Sequence, residues 1–329
     1  MKNWKKLLGA AVAACALTAG MICEVSAADA AAGTKKPVIG ITWKSNTQDY
    51  ENFKKVVEMA GGIPVELPQI KNINITYDAD GKVAKDCVYP SGMLKEKYAD
   101  AVKDNQFDQT NVAEAMKGVD GVFFTGGEDI SPTLFRVPQK EANNGETINA
   151  ARDVSDYTLM AYCIENNIPT LAICRGEQML GIVSGVTFIQ ELPTYYKENG
   201  GNEDGVHRLP YIPEGGRPYV HHDVEIFPIQ SHLYEIAGTT KLEKVSSKHH
   251  QAVGSLVGTE LIQTAQTVHD GIPVVEGIEN PYKDFIVGIQ FHPENDIIEG
   301  VLQGKDPSGL CDTDTCLRFF LALVKAASK

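Results

Sequence analysis

Three short stretches carry residues whose types and spacing suit covalent catalysis. The first is "TLAICRGEQML", Thr170 to Leu180. An apolar run ends at Cys174, and a helix-forming run follows after Arg175 and Gly176. A residue at a strand-to-helix turn projects from the carboxyl edge of a parallel sheet, where open α/β folds place their sites. A tight turn exposes a nucleophile there, and the helix N-terminus favours thiolate over thiol. Gly176 allows the helix to pass close to its neighbour. The alternative is a buried structural thiol, the usual fate of cysteine. The second stretch is "GIQFHPE". His292 ends an apolar strand, so it can serve as base to a nucleophile on a neighbouring strand, and Glu294 can fix its tautomer. The third is "FFTGGED". Gly126 and Gly127 follow an apolar strand, and unobstructed backbone N–H groups make an oxyanion hole. The N–H groups of Gly127 and Arg175 are the candidate pair; a plain Gly-Gly turn is the alternative.

These stretches need a sheet to align them. "PVIGITW", "DYENFKKVVEMAGG" and "IPVELP" read as strand, helix and strand, which implies parallel pairing. "VDGVFF" and "IPTLAIC" are further strands, the second apolar enough for the centre of a parallel sheet. "ARDVSDYTLMAYCIENN" has helical spacing of apolar residues, and Cys163 within it reads as a buried thiol. After residue 220 come short strands, "HHDVEIF", "KLEKVSS", "ELIQTAQT", "PVVEGIE" and "DFIVGIQF", and an amphipathic terminal helix, "TCLRFFLALVKAA". The expected class is therefore α/β with a central, mostly parallel sheet. Residues 69–105 are polar and turn-rich and read as an insertion with one or two short helices. The Gly/Pro-rich run "YYKENGGNEDGVHRLPYIPEGGRPYVHH" reads as a long surface loop.

The chain has 329 residues, 43% hydrophobic and 22% charged, an ordinary globular composition. Its formal net charge of -13 is a poor match to nucleic-acid binding. "MKNWKK", the apolar "LLGAAVAACALTAGMIC" and "VSA" read together as a signal peptide over 1–27, followed by a linker over 28–36 and one domain over 37–329. This predicts an exported protein, periplasmic or extracellular, with no membrane span after cleavage. A membrane anchor, or a lipoprotein site at Cys15, is the alternative. Of the remaining cysteines, Cys311 and Cys316 are close enough in sequence for a small-loop disulfide.

The motifs in order are "TGGEDISP", "RDVSD", "AICRGEQ", "SSKHHQ" and "GIQFHPE". This set resembles the class I glutamine amidotransferase superfamily, and within it the gamma-glutamyl-gamma-aminobutyrate hydrolase-like cysteine peptidases. The resemblance runs from about Pro37 to the end of the chain. It implies a flavodoxin-like three-layer fold and hydrolysis of a gamma-glutamyl amide through a thioester on Cys174. His292 would be the base, Glu294 its orienting partner, and Gly127 and Arg175 the oxyanion donors. Gly126, Gln178, His249 and His250 would line the substrate site; Asp129 and Arg152 also match family positions. The resemblance implies no cofactor and no metal, and the sequence shows no spaced Cys/His cluster. A small gamma-glutamyl compound is the expected partner, and a homodimer is compatible. Rival readings are an amidotransferase-type subunit and a non-catalytic binding protein on the same fold. Four positions depart from the family pattern: Ser246 for Asn, Glu177 for an apolar residue, Val186 for Gly and Phe291 for Trp. Glu177 and the 69–105 insertion are expected to reshape the pocket mouth.

Overall fold

The computed structural model describes residues 35–44, 48–140, 148–212 and 216–329. The expected leader and linker residues 28–34 lie outside them. The first half alternates strand and helix: β1 (Val38–Ile41), α1 (Gln48–Met59), β2 (Ile63–Glu66), α2 (Glu96–Lys103), α3 (Val112–Ala115), β3 (Gly121–Phe124), α4 (Ala150–Glu165), β4 (Thr170–Ile173) and α5 (Arg175–Ser184). The second half is richer in strands: β5 (Phe188–Ile189), α6 (Leu192–Glu198), β6 (Val220–Ile226), α7 (His232–Ala237), β7 (Lys241–Ser247), β8 (Ala252–Val253), β9 (Ile262–His269), β10 (Ile272–Glu279), β11 (Ile286–Ile289), α8 (Pro293–Ile297) and α9 (Thr313–Ala327).

One nine-stranded sheet runs β2-β1-β3-β4-β11-β10-β9-β6-β7. The five strands from β2 to β11 are parallel, and antiparallel strands extend the sheet beyond β11. Strands β3, β4 and β11 are buried along their whole length, which is why their sequences are apolar runs rather than alternations. Helices cover both faces. On one, α1 and α9 pack Tyr50, Val56, Phe319, Phe320 and Leu323 against Ile39, Phe123 and Ile173. On the other, α4 and α5 pack Val154, Met160, Met179 and Leu180 against Val122, Phe124 and Ala172. Spacings of three and four residues place each helix's apolar stripe on the sheet. Among the described residues no helix is long and apolar enough to cross a membrane.

The 69–105 segment is more deeply built in than its polarity suggests. It contains α2 and two isolated bridges, and Ile70, Ile75, Cys87, Leu94 and Val102 belong to the main core. Buried hydroxyls sew it down: Ile70 N–H donates to Ser155 Oγ (3.0 Å) and Leu94 N–H to Ser131 Oγ (3.0 Å). The long Gly/Pro-rich run is not all loop. Its start lies in α6, where Tyr196 is fully buried in a small core with Leu192 and Ile272. Cys311 and Cys316 are free, buried thiols rather than a disulfide. The Cys316 thiol is held well above its ordinary range by its hydrogen bond with Cys311 and by burial. Cys163 is fully buried, and burial pushes its thiol up to about 12.

Candidate active site

Strand register brings the three stretches together. β4 pairs with β11 so that Ile173 faces Ile289, and with β3 so that Ala172 faces Phe124. Cys174, His292 and Gly126 therefore leave adjacent strands at one sheet edge. A Cβ added to Gly126 would lie 2.8 Å from His292 Cε1 and 3.6 Å from Cys174 Cβ. That space is available only because residue 126 is glycine.

Cys174 is the elbow itself, with φ 53° and ψ −106°, a conformation that L-residues rarely adopt. Holding it there costs about 1–3 kcal/mol. Its N–H is fixed to Ile289 O (2.8 Å), and its carbonyl accepts from Gln178 N (3.0 Å) as α5 begins. Gly176 is required next: a Cβ there would meet Phe124 Cβ at 2.7 Å and Phe124 O at 2.8 Å.

His292 sits between β11 and α8, where Pro293 occupies the first turn. Its N–H donates to Ser246 O (2.8 Å), so the residue that replaces the family Asn positions the histidine through its backbone. The Ser246 hydroxyl donates to Asp296 Oδ1 (2.8 Å) and accepts from Asn295 Nδ2 (3.0 Å), tying β7 to α8. His292 Nδ1 lies 2.6 Å from Glu294 Oε1. A carboxylate only accepts, so Nδ1 carries the proton and Nε2 remains for the thiol. Burial opposes the imidazolium. The charges of Glu294 and Cys174, and hydrogen bonds to both, outweigh it and raise His292 to about 10. Tyr219, delivered by the long connection before β6, sets its ring edge-on against His292 at 5.1 Å.

Beneath the site lies a buried cluster of charges. The Arg175 side chain turns away from the thiol and donates to Asp153 (2.6 Å), Asp156 (2.5 Å) and Glu128 O (2.9 Å). Arg152, presented by α4 behind the Asn149 cap, donates to Glu128 (2.8 Å) and Asp156 (3.2 Å). It also donates to the carbonyls of Thr125 (3.2 Å) and Gly126 (2.7 Å). In a trans peptide the N–H points opposite to the C=O. Arg152 therefore aims the Gly127 N–H away from itself. A Cβ on Gly127 would lie 2.0 Å from the guanidinium, so only glycine fits. Burial works against the Glu128 charge, but Arg152 and Arg175 hold its carboxyl down at about 2. Asp153 is pushed up to about 6, because burial exceeds the pull of Arg175 and Ser131.

The side chains expected to line the substrate site are engaged with neighbouring protein groups. Gln178 spends its amide on Gln251 O (3.1 Å) and Gln290 Oε1 (3.0 Å), locking α5 to the HHQ turn. His249 turns one ring nitrogen to Gln251 O (2.8 Å) and the other toward Glu276 (3.5 Å). His250 lies between Asp129 (2.9 Å) and Glu191 (3.2 Å). Burial disfavours its charge, yet those two carboxylates raise its pKa. It borders a small cavity of about 260 Å³ with Arg208 and Arg217. Glu177 does not reach the pocket mouth: it is fully buried, with its Cγ 2.8 Å from where a Cβ on Gly288 would lie. Burial, then Glu276, then Cys174 push its carboxyl well above the usual range. What sequence reasoning missed is the Arg152–Arg175 cluster, whose only signal was the "RDVSD" motif.

A strained cysteine elbow, a histidine–carboxylate pair and a glycine loop at one edge of this sheet define a class I glutamine amidotransferase-like hydrolase. The chain belongs to the Peptidase C26 family, whose model matches residues 101–294. It is 36% identical over 271 residues to protein NtpR of Enterococcus hirae, covering 78% of this chain and 91% of NtpR. It is 29% identical over 334 residues to a Rickettsia prowazekii protein named as glutamine amidotransferase-like, covering 89% of this chain and 98% of that one.

Proposed function

We propose that this protein is an exported γ-glutamyl hydrolase that cleaves γ-glutamyl amides through a thioester on Cys174. The observation that carries the reading is the meeting of Cys174, His292 with Glu294, and Gly126–Gly127 at one sheet edge. The Cys174 thiolate attacks the γ-carbonyl carbon, and the carbonyl electron pair moves to oxygen. The Gly127 and Arg175 N–H groups receive that oxyanion. Protonated His292 delivers its Nε2 proton to the leaving amine as the C–N bond breaks. Neutral His292 then takes a proton from water, whose oxygen attacks the thioester and releases glutamate. Glu294 keeps the ring oriented throughout. The leader-like N-terminus supports export. A cavity of about 560 Å³ bounded by Trp43, Gln69, Val83, Val88 and Ile148 lies beside Glu128, the residue after Gly127.

The test is incubation with glutamine, γ-glutamyl amines, γ-linked peptides and polyglutamates, with free glutamate as readout. At least one substrate should reach a kcat/KM of about 10⁴ M⁻¹ s⁻¹. Glutamine as the sole substrate would favour the amidotransferase-type reading. No glutamate from any of them, with Cys174 titrated as a reduced thiol, would sink the proposal and leave a binding protein.

The raised His292 pKa makes a second prediction. The imidazolium that protonates the leaving amine persists until the pH passes about 10. On the alkaline side, kcat/KM should therefore hold through pH 9 and fall with an apparent pKa near 10. Glu294→Gln removes the neighbouring charge and should move that limb down by at least about one unit. An alkaline limb already near pH 7 in the unaltered protein would contradict this electrostatic account.

A further inference from the structure

Four side chains outside the Cys174 site meet in a closed polar knot. His207 comes from the connection after α6, His222 from β6, His249 from the turn after β7 and Glu276 from β10. All four are buried, and one donor atom of each lies within 4.8 Å of those of the others. His207 Nδ1, His222 Nε2 and His249 Nε2 stand 3.4, 3.6 and 3.5 Å from Glu276 Oε1. None of these atoms makes a hydrogen bond among the described residues, nor does Glu276 Oε2.

The far side of every ring is engaged. His207 Nε2 lies 3.1 Å from the Tyr196 hydroxyl. His249 Nδ1 meets Gln251 O at 2.8 Å, and His222 Nδ1 meets Asp223 O at 3.2 Å and Thr267 Oγ1 at 3.0 Å. The Thr267 hydroxyl gives its own proton to Asp223 O (2.9 Å), so it accepts from the ring. Carbonyl oxygens only accept. His222 and His249 therefore carry a proton on Nδ1, and in the neutral ring each Nε2 presents a lone pair to a carboxylate oxygen. Lone pairs and a carboxylate repel in a dry interior unless a cation lies between them.

We propose that this knot is a buried site for one tetrahedral divalent transition-metal ion, with zinc the best match to its ligands. Ligand atoms about 2.0–2.1 Å from a tetrahedral centre are about 3.3–3.4 Å apart. The three contacts to Glu276 already approach that spacing. Imidazole and carboxylate together suit zinc, and outer partners that fix each ring are the usual support of such a site. Four protein ligands leave no open position, which makes the ion structural rather than catalytic. It would clamp the His207 segment and the HHQ turn to the sheet beside the strand that leads to His292. It would also place a net positive centre near the Glu177 carboxyl, which has no hydrogen-bond partner among the described residues and lies within electrostatic range of Glu276.

The test uses untagged protein stripped with a chelator, then reloaded with zinc or cobalt(II). The expected results are about one zinc per chain after desalting, a thermal midpoint raised by the metal, and the intense visible absorption of four-coordinate cobalt without thiolate-to-cobalt charge transfer. Glu276→Gln and His249→Gln should weaken zinc binding by at least about 100-fold, and Tyr196→Phe, which spares the ligands and the fold, by about 10-fold. Absence of bound zinc with an unmoved midpoint in excess metal would overturn the proposal and leave a proton-sharing cluster. So would thiolate-to-cobalt bands, or zinc binding that all three variants leave unchanged.

Discussion

Cys174→Ala is expected to lower the rate of glutamate release by at least about 10⁴-fold, with the fold retained. In the proposed mechanism the thiol forms the thioester, so its removal takes away the nucleophile. Background hydrolysis assisted by the Gly127 and Arg175 N–H groups would remain. The backbone at this position adds a stability prediction. Both Cys174→Ala and Cys174→Gly lose the sulfur, but only glycine relieves the φ of 53°. Relief of about 1–3 kcal/mol exceeds the extra chain entropy of glycine, about 0.5–1 kcal/mol. Cys174→Gly should therefore melt at or above Cys174→Ala. Measuring both by glutamate release and calorimetry checks the two halves separately. Residual activity near the parent level would end the nucleophile assignment. A glycine variant that melts lower would end the strain account.

Arg175→Met should be the most destabilising of the site substitutions. It removes a fully buried guanidinium and leaves Asp153 and Asp156, both buried, with Arg152 as the cation that remains among them. Breaking a buried ion pair on one side costs about 3–5 kcal/mol. For a domain of this size that lowers the thermal midpoint by about 10 °C. The loss should shrink in acid. Asp153 titrates at about 6 with Arg175 in place and higher without it, so protonation below that range removes the uncompensated charge. The proposed oxyanion donor at position 175 is a backbone N–H, so on the proposed mechanism the protein that remains folded at low temperature should keep its activity. A midpoint within about 2 °C of the parent, measured by differential scanning calorimetry at pH 8, would show that the cluster does not hold the elbow.

Much of this site was legible in the sequence because its logic is local. An apolar run, a cysteine and a helix start predict an elbow wherever they occur together, and β4, Cys174 and α5 form one. The same holds for the strand before His292 and for the glycines after β3. The parallel order that sets β3 beside β4 followed from the alternation of strand and helix. The 69–105 segment and α6 were harder. Their apolar residues are few and irregularly spaced, and they find core only because α4 and the small β5–β8 sheet offer it.

The sequence by itself determined the α/β class, the elbow at Cys174, the glycine loop and the His292–Glu294 pair, because each rests on neighbours a few residues apart. Only the tertiary structure decided where long side chains point. Arg175 goes down into Asp153 and Asp156, Gln178 spends its amide on the HHQ turn, and His249 faces Glu276. Nor could spacing reveal the meeting of His207, His222, His249 and Glu276, which lie 15, 27 and 27 residues apart on four separate segments. Side-chain direction and long-range register depend on which surfaces pack together, and packing is a property of the whole chain rather than of any stretch.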